Sequence, residues 1–194
     1  VITGDLIDKL AWLPQVCERL TTFAKQIPDG VDFILGNHEY HHDVNKVLDS
    51  LKRNTPMNIL VNSNIQIMGG KQPVYIAGVA YDNDREKEKR EAMIDKALSG
   101  IPDYAFVILL AHHPEFFEES IERKIPLTLS GHTHGGQIVF MGMPLVPTGT
   151  PYTKGRYVEE QSVCYVNNGT GHWFPIRINC PREITVITFF DGVA

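Results

Sequence analysis

A mixed α/β fold, with a β-sheet core and helices on its outer faces, is what this 194-residue sequence predicts. Two observations carry that expectation. Short apolar runs recur along the chain, some followed by an amphipathic helix and others directly by another strand, so the topology is mixed rather than purely alternating. Four of these runs end in loops that carry side chains able to hold a metal: Asp5, Asn37, His112, and the pair His132 and His134.

In chain order, Val1-Ile2 reads as the end of a buried strand, followed by Gly4 and the carboxylates Asp5 and Asp8. Leu13-Pro14 opens a helix, because proline suits a first turn, and Val16, Leu20, Phe23 and Ile27 share one face until Pro28-Asp29-Gly30 stops it. Residues 31–35 form a second apolar strand that ends in Gly36-Asn37-His38-Glu39. The next helix sets Val44, Val47, Leu48 and Leu51 on one face, with Asp43 as its N-cap. Residues 58–61, 64–68 and 74–79 read as short strands divided by Asn, Ser, Gly and Pro turns, the last giving way to Asp82-Asn83-Asp84. Charged residues 85–91 continue into Ala92, Met93, Ala97 and Leu98, a surface helix with a solvated first half.

The near-continuous apolar run 106–110 suits a strand covered on both faces, and it delivers Ala111-His112-His113-Pro114. A short helix over 115–123 follows. Leu127-Thr128-Leu129 then leads into Ser130-Gly131-His132-Thr133-His134-Gly135-Gly136-Gln137, a strand ending in a turn. Beyond it come Ile138-Val139-Phe140, a Gly- and Pro-dense loop over 142–155, Cys164-Tyr165-Val166-Asn167, and a final strand over 184–190.

Composition narrows the function. With 18 basic against 23 acidic residues, a formal charge of −5 and no basic block, no nucleic-acid partner is expected. Cys17, Cys164 and Cys180 are odd in number and lack CxxC spacing, so neither a disulfide framework nor a zinc knuckle is indicated. No lysine-bearing P-loop or Gly-x-Ser-x-Gly elbow supports ATP or serine chemistry. The length suits one domain over 1–194. Because Val1 stands in mid-strand without an initiator Met, a segment upstream is expected.

In α/β sheets the loops beyond the carboxyl ends of strands form the ligand crevice, so residues far apart in sequence meet there. Oxygen and imidazole donors without thiolate suit Mn²⁺, Fe or Zn²⁺. Each residue also has an ordinary reading: Asp5 as a turn cap, Asn37 in a left-handed turn, His112 bonded to backbone in the core, His132 and His134 as plain loop histidines.

Gly4-Asp5, Gly36-Asn37-His38-Glu39, His112 after a buried strand and Gly131-His132-Thr133-His134, in this order, resemble the calcineurin-like metallophosphoesterases over nearly the whole chain. Thr170-Gly171 near Pro175-Ile176-Arg177, with Cys180-Pro181-Arg182-Glu183-Ile184, is similar to the bacterial branch that includes UDP-2,3-diacylglucosamine pyrophosphatases and related phosphodiesterases. The resemblance implies a four-layer αββα sandwich of two mixed β-sheets and a two-metal site. Asp5 would bridge the metals, Asn37, His112 and His132 would complete the second, and His134 would belong to the first. His113 would stand behind the ligands. His38 would face the leaving group, oriented by Asp8.

The resemblance also implies an Asp-x-His pair on a strand upstream of Val1, so the fold is expected to lack its first strand and the chain as given to hold one metal well and the other poorly. The implied reaction is cleavage of a phosphodiester or diphosphate bond by a hydroxide bridging two divalent ions, Mn²⁺, Fe or Zn²⁺. A phosphomonoesterase or nuclease on the same fold, or a non-catalytic metal-binding module, are the alternatives, the nuclease weakened by the acidic balance. The expected substrate is a phosphoester or diphosphate, small or lipid-linked. Membrane association through an upstream segment, or a cytoplasmic location, would follow from which it is. Tyr152, Lys154, Arg156, His172, Trp173 and Phe174 lie in loops that either rim the site or cover the core edge.

Overall fold

The computed structural model describes residues 1–67, 72–81 and 86–190. Asp82-Asn83-Asp84, Met68 at the end of an expected strand, and Arg85 at the head of the charged run lie outside the described residues.

Two sheets form the core. The smaller pairs β1 (Asp32–Phe33) in parallel with β2 (Asn58–Ile59), and Ile2 bridges in parallel to Phe33 on the other side. The larger is six-stranded in the order β3 (Ser63–Ile67), β4 (Val74–Gly78), β5 (Phe106–Leu110), β6 (Leu127–Ser130), β10 (Ser162–Val166) and β9 (Gly155–Glu159). Its four inner strands run parallel, and β3 and β9 close its edges antiparallel, so the sheet is mixed. A hairpin of β7 (Val139–Phe140) and β8 (Met143–Pro144) stands apart.

The period-two alternation of the strands sorts their side chains into layers. Phe33 and Leu35 face outward onto helices α1 (Leu13–Ala24) and α3 (Val44–Asn54), the short α2 (Asn37–Tyr40) lying between them in the chain, and meet Leu13, Cys17, Val47 and Leu51. Ile34 faces the other way and joins Leu60, Ile76, Ile108, Leu110 and Leu127 between the sheets. On the far face of the large sheet Ala77, Val79, Leu109 and Ala111 meet Ile94 and Ala97 of α4 (Lys87–Leu98) and Phe116 of α5 (Phe116–Glu122). The result is helix, sheet, sheet, helix. Burying each of the large side chains in these layers stabilises the fold by roughly 1.5–3 kcal/mol. At Gly78 the sheets touch, since a Cβ there would lie 2.5 Å from the Leu60 Cβ.

Local signals held where the chain's own chemistry decides them. The Asp43 carboxylate accepts from the Lys46 amide at 3.2 Å and caps α3, and Pro14 sits in the first turn of α1. Three of the departures from expectation bear on the sheets. Of residues 31–35 only Asp32 and Phe33 lie in a ladder, although all five are buried. Residues 184–190 form no strand; among the described residues they have no ladder partner, and Ile184, Val186 and Phe190 are exposed. Conversely, β9 lies just beyond the Gly- and Pro-dense loop and was not expected, because as a largely exposed edge strand it shows no apolar alternation. Among the described residues no helix is long and apolar enough to cross a membrane.

Parallel pairing positions the site. The Ile2 bridge carries the Asp5 loop beside the loop after β1, and the β5–β6 ladder, prolonged by Ala111 N–H to Leu129 O (3.1 Å) and Gly131 N–H to His112 O (3.1 Å), sets the two histidine turns side by side.

Candidate metal centre

Gly4 adopts φ 98° and Asp5 φ 56°, a left-handed pair that turns the chain sharply out of its strand. Asp5 has no glycine's freedom there, so the surroundings must hold it. Gly36 is where the two loops touch: a Cβ on it would lie 2.3 Å from Asp5 Oδ1 and 2.8 Å from His112 Cε1. The Asp5 carboxylate accepts the His38 amide at 2.9 Å through Oδ1, and its Oδ2 lies 3.2 Å from His112 Nε2. Burial alone would raise the Asp5 pKa, but the hydrogen bond and charge of His112, with the His38 amide, hold it well below the usual carboxylate range.

His112 is nearly fully buried, and its Nδ1 lies 2.6 Å from the Thr3 carbonyl oxygen. A carbonyl only accepts, so Nδ1 carries the proton, and the neutral ring presents a lone pair at Nε2. That nitrogen faces Asn37 Oδ1 at 3.0 Å and Asp5 Oδ2 at 3.2 Å, while His132 Nδ1 lies 3.0 Å from the same Asn37 oxygen and 3.2 Å from His112 Nε2. Two acceptor oxygens and two imidazole nitrogens thus converge on one small volume. A cation relieves that convergence of lone pairs. The backbone carbonyl behind His112 is also the partner that metal-binding imidazoles commonly use.

Without a cation the convergence is relieved by a proton: burial works against charge on His112, but the Asp5 hydrogen bond and charge outweigh it and raise its pKa. His132 goes the other way, pushed down to about 3 by burial and by His113 and His112, so it is a neutral donor at pH 7. His113 stacks on His132 with ring centroids 3.8 Å apart, and the nitrogens of His112, His113 and His132 lie within 4.8 Å of one another. His113 Nδ1 is 3.6 Å from Glu115 Oε2, and its buried Nε2 has no hydrogen-bond partner among the described residues. The donor set therefore fits a divalent ion held by oxygen and imidazole.

A family model described as calcineurin-like phosphoesterase matches residues 1–136, the part of the chain that carries every one of these side chains. The chain belongs to the calcineurin-like metallophosphoesterase family. It is 36% identical over 195 residues to an uncharacterized metallophosphoesterase of Campylobacter jejuni, covering 96% of this chain and 49% of that protein. It is 30% identical over 200 residues to a zebrafish (Danio rerio) transmembrane protein with a metallophosphoesterase domain, covering 96% and 44%. The similarity thus extends to eukaryotes as well as bacteria. The chain spans about half the length of the curated relatives from Campylobacter jejuni and Helicobacter pylori that it matches. Among solved structures, the NAD nucleotidase of Haemophilus influenzae superposes with a TM-score of 0.53 at 16% identity, over 87% of this chain and 40% of that one, a likeness of fold.

The other residues singled out in this metallophosphoesterase sequence fall into two groups. His38 Nδ1 lies 3.2 Å from Asp8 Oδ1, on the open side of the Asp5 loop, and the Asp8 carbonyl is 2.9 Å from His42 Nε2. His134 does not join the cluster of Asp5, Asn37, His112 and His132. Its Nδ1 lies 3.3 Å from Arg177 Nη2 and its ring 5.6 Å from that of Trp173, and burial together with the Arg177 charge lowers its pKa to about 4. Its turn is strained: His132, His134 and Gln137 all have φ between 51° and 67°.

Two residues that hold this arrangement were not assigned a role from the sequence. Gln137 is fully buried; its Nε2 donates to the Phe174 and Ile176 carbonyls at 3.1 and 3.0 Å, and its Oε1 accepts the Trp173 amide, pinning that loop to the histidine turn. Nothing local in the sequence signals this. Glu39 is also fully buried, between the Asp5 and Asn37 loops, and its place three residues after Gly36 has the spacing of a helix-capping glutamate. Burial pushes its carboxyl up, against the pull of backbone amides.

Of the loop residues near the site, Trp173 borders His134. Tyr152 instead packs edge-on against Phe117 and Tyr157, at 5.4 and 5.2 Å, and so covers the core edge. Arg177 is not a free cation: it donates to the carbonyls of Gly171, His134, Asn168 and Cys180 and ties the tail to the histidine turn.

Proposed function

We propose that this chain is the hydrolytic domain of a metal-dependent phosphoesterase that cleaves a phosphodiester or diphosphate bond. The observation that carries the reading is the convergence of Asp5 Oδ2, Asn37 Oδ1, His112 Nε2 and His132 Nδ1 within 3.0–3.2 Å contacts, with the His38–Asp8 pair alongside. Asp5, Asn37, His112 and His132 would hold one divalent ion. Asp5 and His134 would contribute to a second, of the same class, Mn²⁺, Fe or Zn²⁺. Bound ions supply Lewis acidity, neutralising phosphoryl charge and making water nucleophilic at neutral pH.

The remaining work falls to the chain's own groups. Asp8 orients the His38 ring through Nδ1, which leaves Nε2 to hold or deliver a proton to the departing oxygen. His112 stays in one tautomer because the Thr3 carbonyl holds its Nδ1 proton. Trp173, beside His134, supplies an apolar wall for whatever group the phosphate carries.

The finer reading, a UDP-2,3-diacylglucosamine pyrophosphatase-like activity on a lipid-linked diphosphate, rests on the tail motif alone. There Arg177 and Glu183 are engaged in holding the chain, Arg177 at four carbonyls and Glu183 with Tyr165, Thr185 and the Asn168 amide, so they shape the histidine turn rather than select a substrate. The assay that tests the proposal compares bis(p-nitrophenyl) phosphate, p-nitrophenyl phosphate and a nucleotide-sugar lipid with Mn²⁺ present and after chelation. Metal-dependent turnover highest on the diester or diphosphate is expected. A faster monoester reaction would move the assignment to a phosphomonoesterase, and no metal-dependent turnover on any of them would overturn it.

A further inference from the structure

Glu39 touches none of the converging ligand atoms, yet it is the side chain on which their two loops depend. Its Oε2 accepts the amides of Asp5 at 3.0 Å and Gly36 at 2.7 Å, and its Oε1 accepts those of Leu6 at 2.6 Å and Ile7 at 2.9 Å. Four backbone donors from two loops more than thirty residues apart therefore close on one carboxylate. The three consecutive amides of residues 5–7 form a nest, the concave arrangement of N–H groups that binds anions, and the occupant here is a side chain of the neighbouring loop.

We infer that Glu39 is a positioning residue: its carboxylate clamps the Asp5 loop to the Asn37 loop and thereby sets the separation of the ligands those loops carry. This rests on the metal-centre reading above.

Three features make the clamp specific. Asp5 sits at φ 56°, a conformation that costs a non-glycine residue energy and persists only where the surroundings impose it; the Glu39 bond to its own amide is such a restraint. Each oxygen takes two donors. The acceptor capacity facing the loops is thus used on both sides, and an amide in its place would present a donor to two donors on one of them. The clamp also lies directly behind the ligands, because the Asp5 whose amide Glu39 holds has its carboxylate against the His38 amide and His112. A small slip of either loop would open the 3.0–3.2 Å contacts on which a cation depends.

The test uses Glu39→Gln, with Val47→Ala as a destabilising control in the helix–sheet core, in the same apolar cluster as Ile7 but with no polar atom to hold either loop. Mn²⁺ binding is followed by titration calorimetry on the metal-free protein, and melting temperature is measured on the same samples. Glu39→Gln is expected to weaken Mn²⁺ binding about 10–100-fold, the range for residues that orient metal ligands, while Val47→Ala lowers the melting temperature and keeps the wild-type affinity. A folded Glu39→Gln that binds Mn²⁺ as the wild type does, or a Val47→Ala that loses as much affinity, would overturn the inference. Should Glu39→Gln not fold, amide hydrogen exchange of the wild type decides: the amides of Asp5, Leu6, Ile7 and Gly36 must exchange far more slowly than in an unstructured peptide, and free exchange at these four rejects the clamp. A wild type that takes up no Mn²⁺ overturns the metal reading itself, whereas equal binding with and without Glu39 overturns only the positioning role.

Discussion

The side-chain oxygen of Asn37 lies 3.0 Å from Nε2 of His112, a residue 75 positions further along the chain. With the His112 proton held at Nδ1 by the Thr3 carbonyl, neither atom of that pair donates in the neutral protein, and Asp5 Oδ2 adds a third acceptor 3.2 Å from the same nitrogen. Left without a proton, that set of acceptors is unfavourable, and a cation relieves it as a proton on His112 does.

Metal affinity and turnover should therefore separate by residue. Asp5→Asn and His112→Ala are expected to weaken Mn²⁺ binding by at least about tenfold. His38→Ala should leave binding near the wild-type value while lowering kcat by about 10²–10⁴, the usual contribution of a general acid or base. Calorimetric titration beside steady-state kinetics checks this, and a His38→Ala that loses metal as fully as Asp5→Asn would place His38 among the ligands.

Chain packing at Gly36 leaves no room for a methyl group, because a Cβ there meets Asp5 Oδ1 at 2.3 Å and Asp5 N at 2.5 Å. Gly36→Ala should cost about 1–3 kcal/mol in urea denaturation, as overpacking does, and should impair Mn²⁺ binding. Gly171, whose Cβ would meet nothing within 4 Å, supplies the contrast: Gly171→Ala should be near neutral in both measurements.

A pH dependence follows from the tail. Burial raises the Glu183 pKa, but the hydroxyls of Tyr165 and Thr185 and the Asn168 amide outweigh it and bring the pKa below its ordinary 4.5. The unfolded chain then binds the proton more readily than the folded one. The contribution of Glu183 is therefore present above pH 4.5 and is lost as pH falls through its folded value. Tyr165→Phe should flatten the stability profile on the acid side of that pH, and an unchanged slope in acid denaturation followed from pH 6 downward would show that the pair does not hold the tail.

Burial pushes the Cys164 thiol up to about 12, so almost none of it is thiolate at pH 8. Native protein treated with iodoacetamide at that pH should leave Cys164 unmodified, while in urea all three cysteines should react. Mass spectrometry of the peptides reads the difference, and rapid native labelling of Cys164 would contradict its burial on β10 against Phe117 of α5.

What the sequence determined by itself was whatever neighbouring residues decide. The cap at Asp43, the proline turn of α1 and the apolar run of β5 were all legible, since each depends on propensity or periodicity within a few residues. The layers were legible only in part, since alternation tells which faces are apolar but not what covers them; residues 184–190 are apolar enough for a strand, and among the described residues they have no ladder partner. That Asn37, His112 and His132 come together was implied by the family resemblance and not by any local pattern, while tertiary structure alone decided that His134 turns toward Arg177 and Trp173, that Gln137 holds the neighbouring loop, and that Glu39 closes on four amides. The physical reason is range. These contacts join residues some 30 to 95 positions apart or pair side chains with backbone groups, and backbone amides and carbonyls are present at nearly every residue, so no pattern of side chains announces which of them will meet.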